Sequence, residues 1–194
     1  RDWSSDVCSS DLQAIAMDPL CAEAHVGLSK TLLESGDVEE AQNAVKTAIH
    51  CAPNNVDALV HYAYIRERTH DPKAAIHCYE RAIRIDAANV DALVRCGALM
   101  CSNDQVSEGV QYLSRALKWN RDSKDAHYHL AYVNIGLGRT ALGMIHTREL
   151  FVVAPHETRM FMSLALSLER LKFHDKAIEI YKRTVELNPE CAEA

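Results

Sequence analysis

The sequence predicts an all-α chain, a solenoid of helix-turn-helix units. Two observations carry this: a 34-residue period that runs without a gap, and small residues recurring at fixed places within it. Pro19-Leu20-Cys21-Ala22-Glu23-Ala24 returns as Pro189-Glu190-Cys191-Ala192-Glu193-Ala194, an offset of 189 − 19 = 170, or five times 34. Frames beginning at Ala22, Val56, Val90, Lys124 and Thr158 give repeats over 22–55, 56–89, 90–123, 124–157 and 158–191. Residues 13–21 then read as the end of a truncated repeat and 192–194 as the start of another.

Three columns of this frame hold mostly small side chains. The first is Ser29, Ala63, Gly97, Ala131 and Ala165; the second is Ala41, Ala75, Gly109, Gly143 and Ala177. The third is Ala48, Ala82, Ala116, Leu150 and Thr184. Small residues at such intervals let two helices approach until their backbones nearly touch, with larger residues interlocking around the contact. Gly109 and Gly143 are expected to loosen their helices by about 1 kcal/mol each relative to alanine. Leu150, on the same helix as Gly143, is expected to offset it sterically.

Apolar residues at helical spacing fill each half-repeat, as in Leu28, Leu32 and Leu33, or Ala41, Val45, Ala48 and Ile49. Turn chemistry separates the halves at Ser35-Gly36-Asp37, His70-Asp71-Pro72, Asn103-Asp104 and Gly136-Leu137-Gly138. Asp71 with Pro72 reads as an N-cap followed by proline in the first turn. Pro19, Pro53, Pro155 and Pro189 close the second helices, because proline cannot continue the hydrogen-bonded ladder; Ala87 and Arg121 stand in the same column.

These columns, the period and the closing proline resemble the tetratricopeptide repeat over essentially all of 13–194. That resemblance implies a right-handed α-solenoid whose first helices line a concave groove that binds peptides. Residues 1–12 break the pattern and resemble a translated sequencing adapter, so they are expected to be an artefactual leader. With both ends cut inside a longer array and polar capping repeats missing, the ends are expected to fray or to self-associate.

Composition bounds the function. A formal net charge of −6 and a pI near 5.9 argue against a general nucleic-acid binder, and no apolar stretch approaches a membrane span. Seven cysteines, an odd number without C-x-x-C spacing, read as reduced thiols in a cytoplasmic or nuclear protein. Glycine-rich phosphate loops, nucleophile elbows and H-E-x-x-H are all missing, so no catalytic residue and no cofactor is expected. His127 and His129 lie two apart on a helix and point away from each other. His127 shares its column with His25, Leu59, Leu93 and Phe161, which favours core packing over metal ligation, and no metal is expected.

Steps of four, three and four residues along each first helix define an exposed stripe. It holds Glu23, Gly27, Lys30 and Glu34, then Asp57, His61, Tyr64 and Arg68, then Asp91, Arg95, Ala98 and Ser102. The last two repeats contribute Asp125, His129, Tyr132 and Gly136, then Arg159, Ser163, Leu166 and Arg170. The candidate groove residues are His61, Tyr64, Arg68, Arg95, Tyr128, His129 and Tyr132. Aromatic rings beside a guanidinium suit an extended peptide with acidic or aromatic side chains. The lysine and asparagine clamp of chaperone-binding relatives is not matched, since those columns hold Val26, Val60, Lys30 and Tyr64. The asparagine ladder of sugar-transferring relatives is likewise replaced by Gly27, His61, Arg95, His129 and Ser163.

The function expected is a protein-interaction scaffold that binds peptide segments or other repeat subunits. The alternative is the regulatory region of an enzyme whose catalytic domain lies elsewhere.

Overall fold

The computed structural model describes Asp11 and residues 13–189. The leader expected at 1–12, apart from Asp11, and the start of a further repeat at 192–194 lie outside the described residues. A short helix, α1, is described over residues 13–17. Ten longer helices follow: α2 (Ala22–Ser35), α3 (Val38–Cys51), α4 (Val56–Arg68), α5 (Pro72–Ile85), α6 (Val90–Ser102), α7 (Val106–Trp119), α8 (Lys124–Gly136), α9 (Thr140–Val153), α10 (Thr158–Arg170) and α11 (His174–Leu187). Each even-numbered helix from α2 to α10 starts on the first residue of a 34-residue frame.

The chain divides into two compact units between Leu99 and Met100, a point that falls inside α6. In the first unit, α2 packs on α3 and α4 on α5, and α4 also meets both α2 and α3. In the second, α8 packs on α9 and α10 on α11, while α8 also meets α7 and α10. The first core gathers Val26, Leu33, Ala41, Val45, Ala58 and Ile65; the second gathers Ala131, Ile135, Leu150, Phe161, Leu164 and Leu168. Each large apolar side chain so buried is worth about 1.5–3 kcal/mol relative to exposure.

Every member of the three small-residue columns is buried. The first two columns face each other in the first and fourth repeats. In the first repeat the Ser29 hydroxyl donates to the Ala41 carbonyl at 2.7 Å. In the fourth, a methyl group on Gly143 would lie 2.6 Å from Ile135 Cγ1 and 3.1 Å from the Ala131 carbonyl oxygen. The helix-propensity cost expected of glycine at position 143 is therefore offset by the space it leaves. The Ile135 side chain and, behind it, the backbone of α8 occupy the space, and glycine is what lets α9 approach them. In the third column, Leu150 is fully buried, and Thr184 turns its hydroxyl back to the Ile180 carbonyl at 2.8 Å.

The first helices start on a recurring cap. Asn55 Oδ1 accepts from the Ala58 amide at 2.9 Å, Asn89 Oδ1 from Ala92 at 2.9 Å, and Ser123 Oγ from Ala126 at 3.4 Å. Cys21 and Glu157, in the same column, make no side-chain cap. On α5, Asp71 caps the Ala74 amide at 3.1 Å with Pro72 in the first turn, as its sequence implies.

The turn inside each repeat has a common geometry that the sequence pattern does not display. Gly36, His70, Asp104, Gly138 and Lys172, each 34 residues after the last, all adopt positive φ, between 59° and 95°. The residue after this position returns its amide to the first helix five residues back. Such bonds run from Asp37 to Leu32, Asp71 to Arg66, Gln105 to Met100 and Phe173 to Leu168, at 2.9–3.0 Å. This is the Schellman closure, which needs a left-handed residue and favours glycine. Three of the five positions carry a side chain there and bear the associated strain.

Two outcomes follow. Lys172→Gly should raise stability by up to about 1 kcal/mol, the strain relieved outweighing the added freedom of the unfolded chain, and Gly36→Ala should lower it by about 1 kcal/mol. Opposite shifts of the urea midpoint check this, and a loss on Lys172→Gly would contradict it. At the inter-helix contact, Gly143→Ala should cost about 1–3 kcal/mol despite alanine's better helix propensity, and Ala131→Leu should lower the melting temperature as well.

Candidate peptide-binding surface

In the first unit, α4 and α6 carry the stripe residues. Tyr64 is half-buried, and the Arg95 guanidinium carbon lies 4.9 Å from its ring centre. Arg68 approaches the same ring at 6.0 Å. Arg95 also donates from Nε to Asp91 Oδ1 at 2.9 Å and lies 3.9 Å from Glu67 Oε2. Glu67 in turn accepts from the buried Tyr79 hydroxyl at 3.2 Å, and burial followed by the Glu67 charge pushes that phenol far above its usual range. Arg95 is thus held by two carboxylates and an aromatic face, and its charge is largely committed within the chain.

The expectation of an exposed His61 does not hold. His61 is only 9% exposed, and its Nε2 lies 3.1 Å from Ser29 Oγ across α2 and α4. Because the Ser29 hydroxyl already donates to Ala41, the imidazole donates to Ser29 and completes a buried relay. Burial first, and then the neighbouring Lys30 charge, lower the His61 pKa against the opposing pull of Ser29. His61 braces the first repeat against the second.

In the second unit, Tyr128, His129 and Tyr132 lie along α8, with the Tyr128 ring centre 5.2 Å from that of His129 and 6.1 Å from that of Tyr132. Tyr128 reaches α10 through its hydroxyl, 3.0 Å from Ser163 Oγ. Between α8 and α10 opens a cleft of about 350 Å³ lined by Tyr132, Arg159, Met162, Ser163, Leu166 and Arg170, among others. Its apolar members are exposed: Tyr132 is 46% exposed, Met162 41% and Leu166 46%. Four of these six lie in the fifth repeat's stripe, yet none of those four is among the candidate groove residues. The signal was available, since Arg159 and Arg170 share a stripe with Leu166. Met162 stands one helical turn before Leu166 and was not singled out.

His127 is buried and faces away from this cleft's stripe. Its Nε2 lies 2.9 Å from the Arg121 carbonyl and its Nδ1 3.2 Å from His146 Nδ1. A carbonyl only accepts, so Nε2 carries the His127 proton, and Nδ1 accepts from His146. Burial, then the proximity of His127, lower the His146 pKa. Among the described residues, no group of three or more His, Cys, Asp or Glu side chains converges as a metal site. No described helix is long and apolar enough to cross a membrane. Cys78 and Cys96 are buried, and burial pushes the Cys78 thiol up.

Paired helices on a 34-residue period, with an open cleft between consecutive first helices, define an α-helical repeat protein. The chain belongs to the tetratricopeptide-repeat family: one tetratricopeptide-repeat model matches residues 13–64 and 68–135, and a second matches 158–191. A curated relative, the type IV pilus assembly protein PilF of Pseudomonas aeruginosa, is 24% identical over 115 residues. That match takes in 59% of this chain and 44% of PilF, so the chain spans less than half of that relative's length. Among solved structures, MamA is similar with a TM-score of 0.75 at 22% identity, covering 89% of this chain and 94% of MamA. YrrB, described as a TPR protein with an unusual peptide-binding site, is similar with a TM-score of 0.72 at 16% identity, over 94% of each chain. These likenesses show the fold.

Both lowered imidazoles are favoured in the neutral form by folding. Their stabilisation is complete above the ordinary imidazole range, near pH 6.5, and is lost as pH falls through the depressed folded values. The urea midpoint should therefore fall between about pH 7.5 and about pH 5, and a His61→Asn/His146→Asn double variant should show a flatter profile. Equal slopes would show that these two histidines do not carry the effect.

Proposed function

We propose that the chain is a protein-interaction module that holds an extended segment of a partner protein against its first helices. The single observation that carries this reading is the cleft between α8 and α10, where Tyr132, Met162 and Leu166 stand open to solvent between arginines. Side chains of this size, left exposed side by side in a concave setting, supply the desolvated area that peptide recognition uses. Tyr128 and His129 flank the cleft on α8. In the first unit, Tyr64, Arg68 and Arg95 form a second contact surface, with His61 as its support. The description of YrrB as having a peptide-binding site accords with this use of the fold.

The charge arrangement makes the cleft in the second unit the stronger of the two surfaces. A ligand carboxylate approaching Arg95 must compete with Asp91 and Glu67, whereas hydrophobic contact in the second-unit cleft displaces only water.

Peptides selected from a displayed random library on the folded chain test the proposal. Leu166→Asp should weaken their binding at least about tenfold, since it places a charge in the apolar floor. Val152→Asp, at a 76% exposed position on α9 away from the cleft, should leave binding unchanged. Equal affinity for the Leu166→Asp variant would overturn the assignment.

A further inference from the structure

The geometry points to a specific ligand class for the second-unit cleft: an extended peptide with two acidic side chains on one face, about six residues apart, and apolar side chains between them on that face. This rests on the cleft being the peptide surface, as proposed above.

Two features of the chain carry it. The first is charge. Arg159 and Arg170 both line the cleft and both are exposed, and among the described residues neither makes an ion pair. Several other cations near candidate surfaces are engaged, Arg95 by Asp91 and Glu67, Arg148 by Glu179, Arg183 by Glu186 and Lys124 by Glu157, whereas Arg68 approaches the Tyr64 ring at 6.0 Å without an ion pair among the described residues. A second cavity, of about 310 Å³, lies between α9 and α11 and contains Arg148, Glu179 and Arg183, so its cations are already paired. Asp125 occupies the column of Arg159 on the neighbouring first helix, but no ion pair joins the two.

The second feature is spacing. Arg159 and Arg170 stand at opposite ends of α10, 170 − 159 = 11 positions apart. At about 1.5 Å of rise per residue, that separates them by roughly 16 Å along the helix. An extended chain advances about 3.3 Å per residue and turns only every second side chain to one face, so two acidic residues six apart share a face about 20 Å apart, a span the long arginine side chains close. Met162, Leu166 and, from α8, Tyr132 lie between the two cations, where a peptide's intervening apolar side chains would rest. The serines on this face are occupied: Ser163 Oγ lies 3.0 Å from the Tyr128 hydroxyl, and Ser167 donates to the Ser163 carbonyl at 2.9 Å. Discrimination therefore falls to the two guanidinium groups and the apolar floor.

Fluorescence anisotropy on the full chain, at low salt, tests this with three labelled, capped twelve-residue peptides. One carries two aspartates six positions apart with leucines at the second and fourth positions between them, the second has asparagines in place of the aspartates, and the third has the same aspartates adjacent. The first should bind about 5- to 10-fold more tightly than the other two, the range expected of two exposed ion pairs, with the advantage shrinking as salt is added. Arg159→Gln and Arg170→Gln should each remove part of that advantage while leaving affinity for the asparagine peptide unchanged; circular dichroism would confirm that both variants are folded. Equal binding of all three peptides, no binding of the first, or indifference to both arginine changes overturns the ligand class. The library selection separates this from failure of the surface itself. Selected peptides that depend on Leu166 but lack the acidic pair would leave the surface standing and sink the pattern. Peptides indifferent to Leu166 would sink both.

Discussion

The contact on which the rest depends is the near-touch of paired helices within a repeat, seen in the first and fourth repeats where the first two small-residue columns meet. At Ser29 and Ala41 it is a hydrogen bond from side chain to backbone, and at Gly143 it is a close approach to the Ile135 side chain and the Ala131 carbonyl that leaves no room for a methyl group. A tight contact of this kind fixes the distance and inclination of the helix pair, because an added methyl group has no space into which to move. Once each pair is fixed, the next first helix can only pack in the angle the pair presents. The stripe residues of consecutive repeats, such as α8 and α10, are then brought side by side. The cleft at Tyr132 and Leu166 is a consequence of packing set on the opposite side of the same helices.

The two units use similar stripes to different electrostatic ends. In the first, aromatic and cationic side chains are turned on one another and on Asp91 and Glu67, giving a surface organised by internal pairs. In the second, the aromatic residues meet edge-on and tilted along α8 while the arginines of α10 remain without ion pairs. Paired charges at a surface contribute little to stability, and a cation without such a pair contributes almost nothing, so the difference is nearly neutral for folding. For a ligand it is not neutral, since the two arginines of α10 offer charge without displacing an internal carboxylate, whereas Arg95 does not.

Much of the architecture was legible because a repeat writes the same physical demand several times. One alanine at position 131 says little, but small residues at five equivalent places identify a contact, and Asp71-Pro72 names a helix start by local chemistry alone. What depends on a partner in space was not legible. The burial of His61 follows from Ser29, 32 residues away, being small enough to admit the ring and polar enough to hold it. The pairing of His127 with His146, 19 residues on, arises the same way and has no counterpart in the period. The left-handed turn residue escaped notice because His70, Asp104 and Lys172 obscure a demand that Gly36 and Gly138 state openly.

That obscured demand suggests how the array divides its work. A non-glycine residue at positive φ is a small local cost, tolerated where the flanking helices already determine the turn. Lys172 sits in the turn between α10 and α11, whose helices bury Phe161, Leu164, Leu168 and Ile180 completely, so the helix pair is set by its core and the turn merely follows. The same core holds α10 while leaving its Arg159, Leu166 and Arg170 edge open, because the buried and open residues occupy opposite faces of one helix. Rigidity in the second unit is thus supplied from within, and its outward stripe is free to carry residues chosen for recognition rather than for stability.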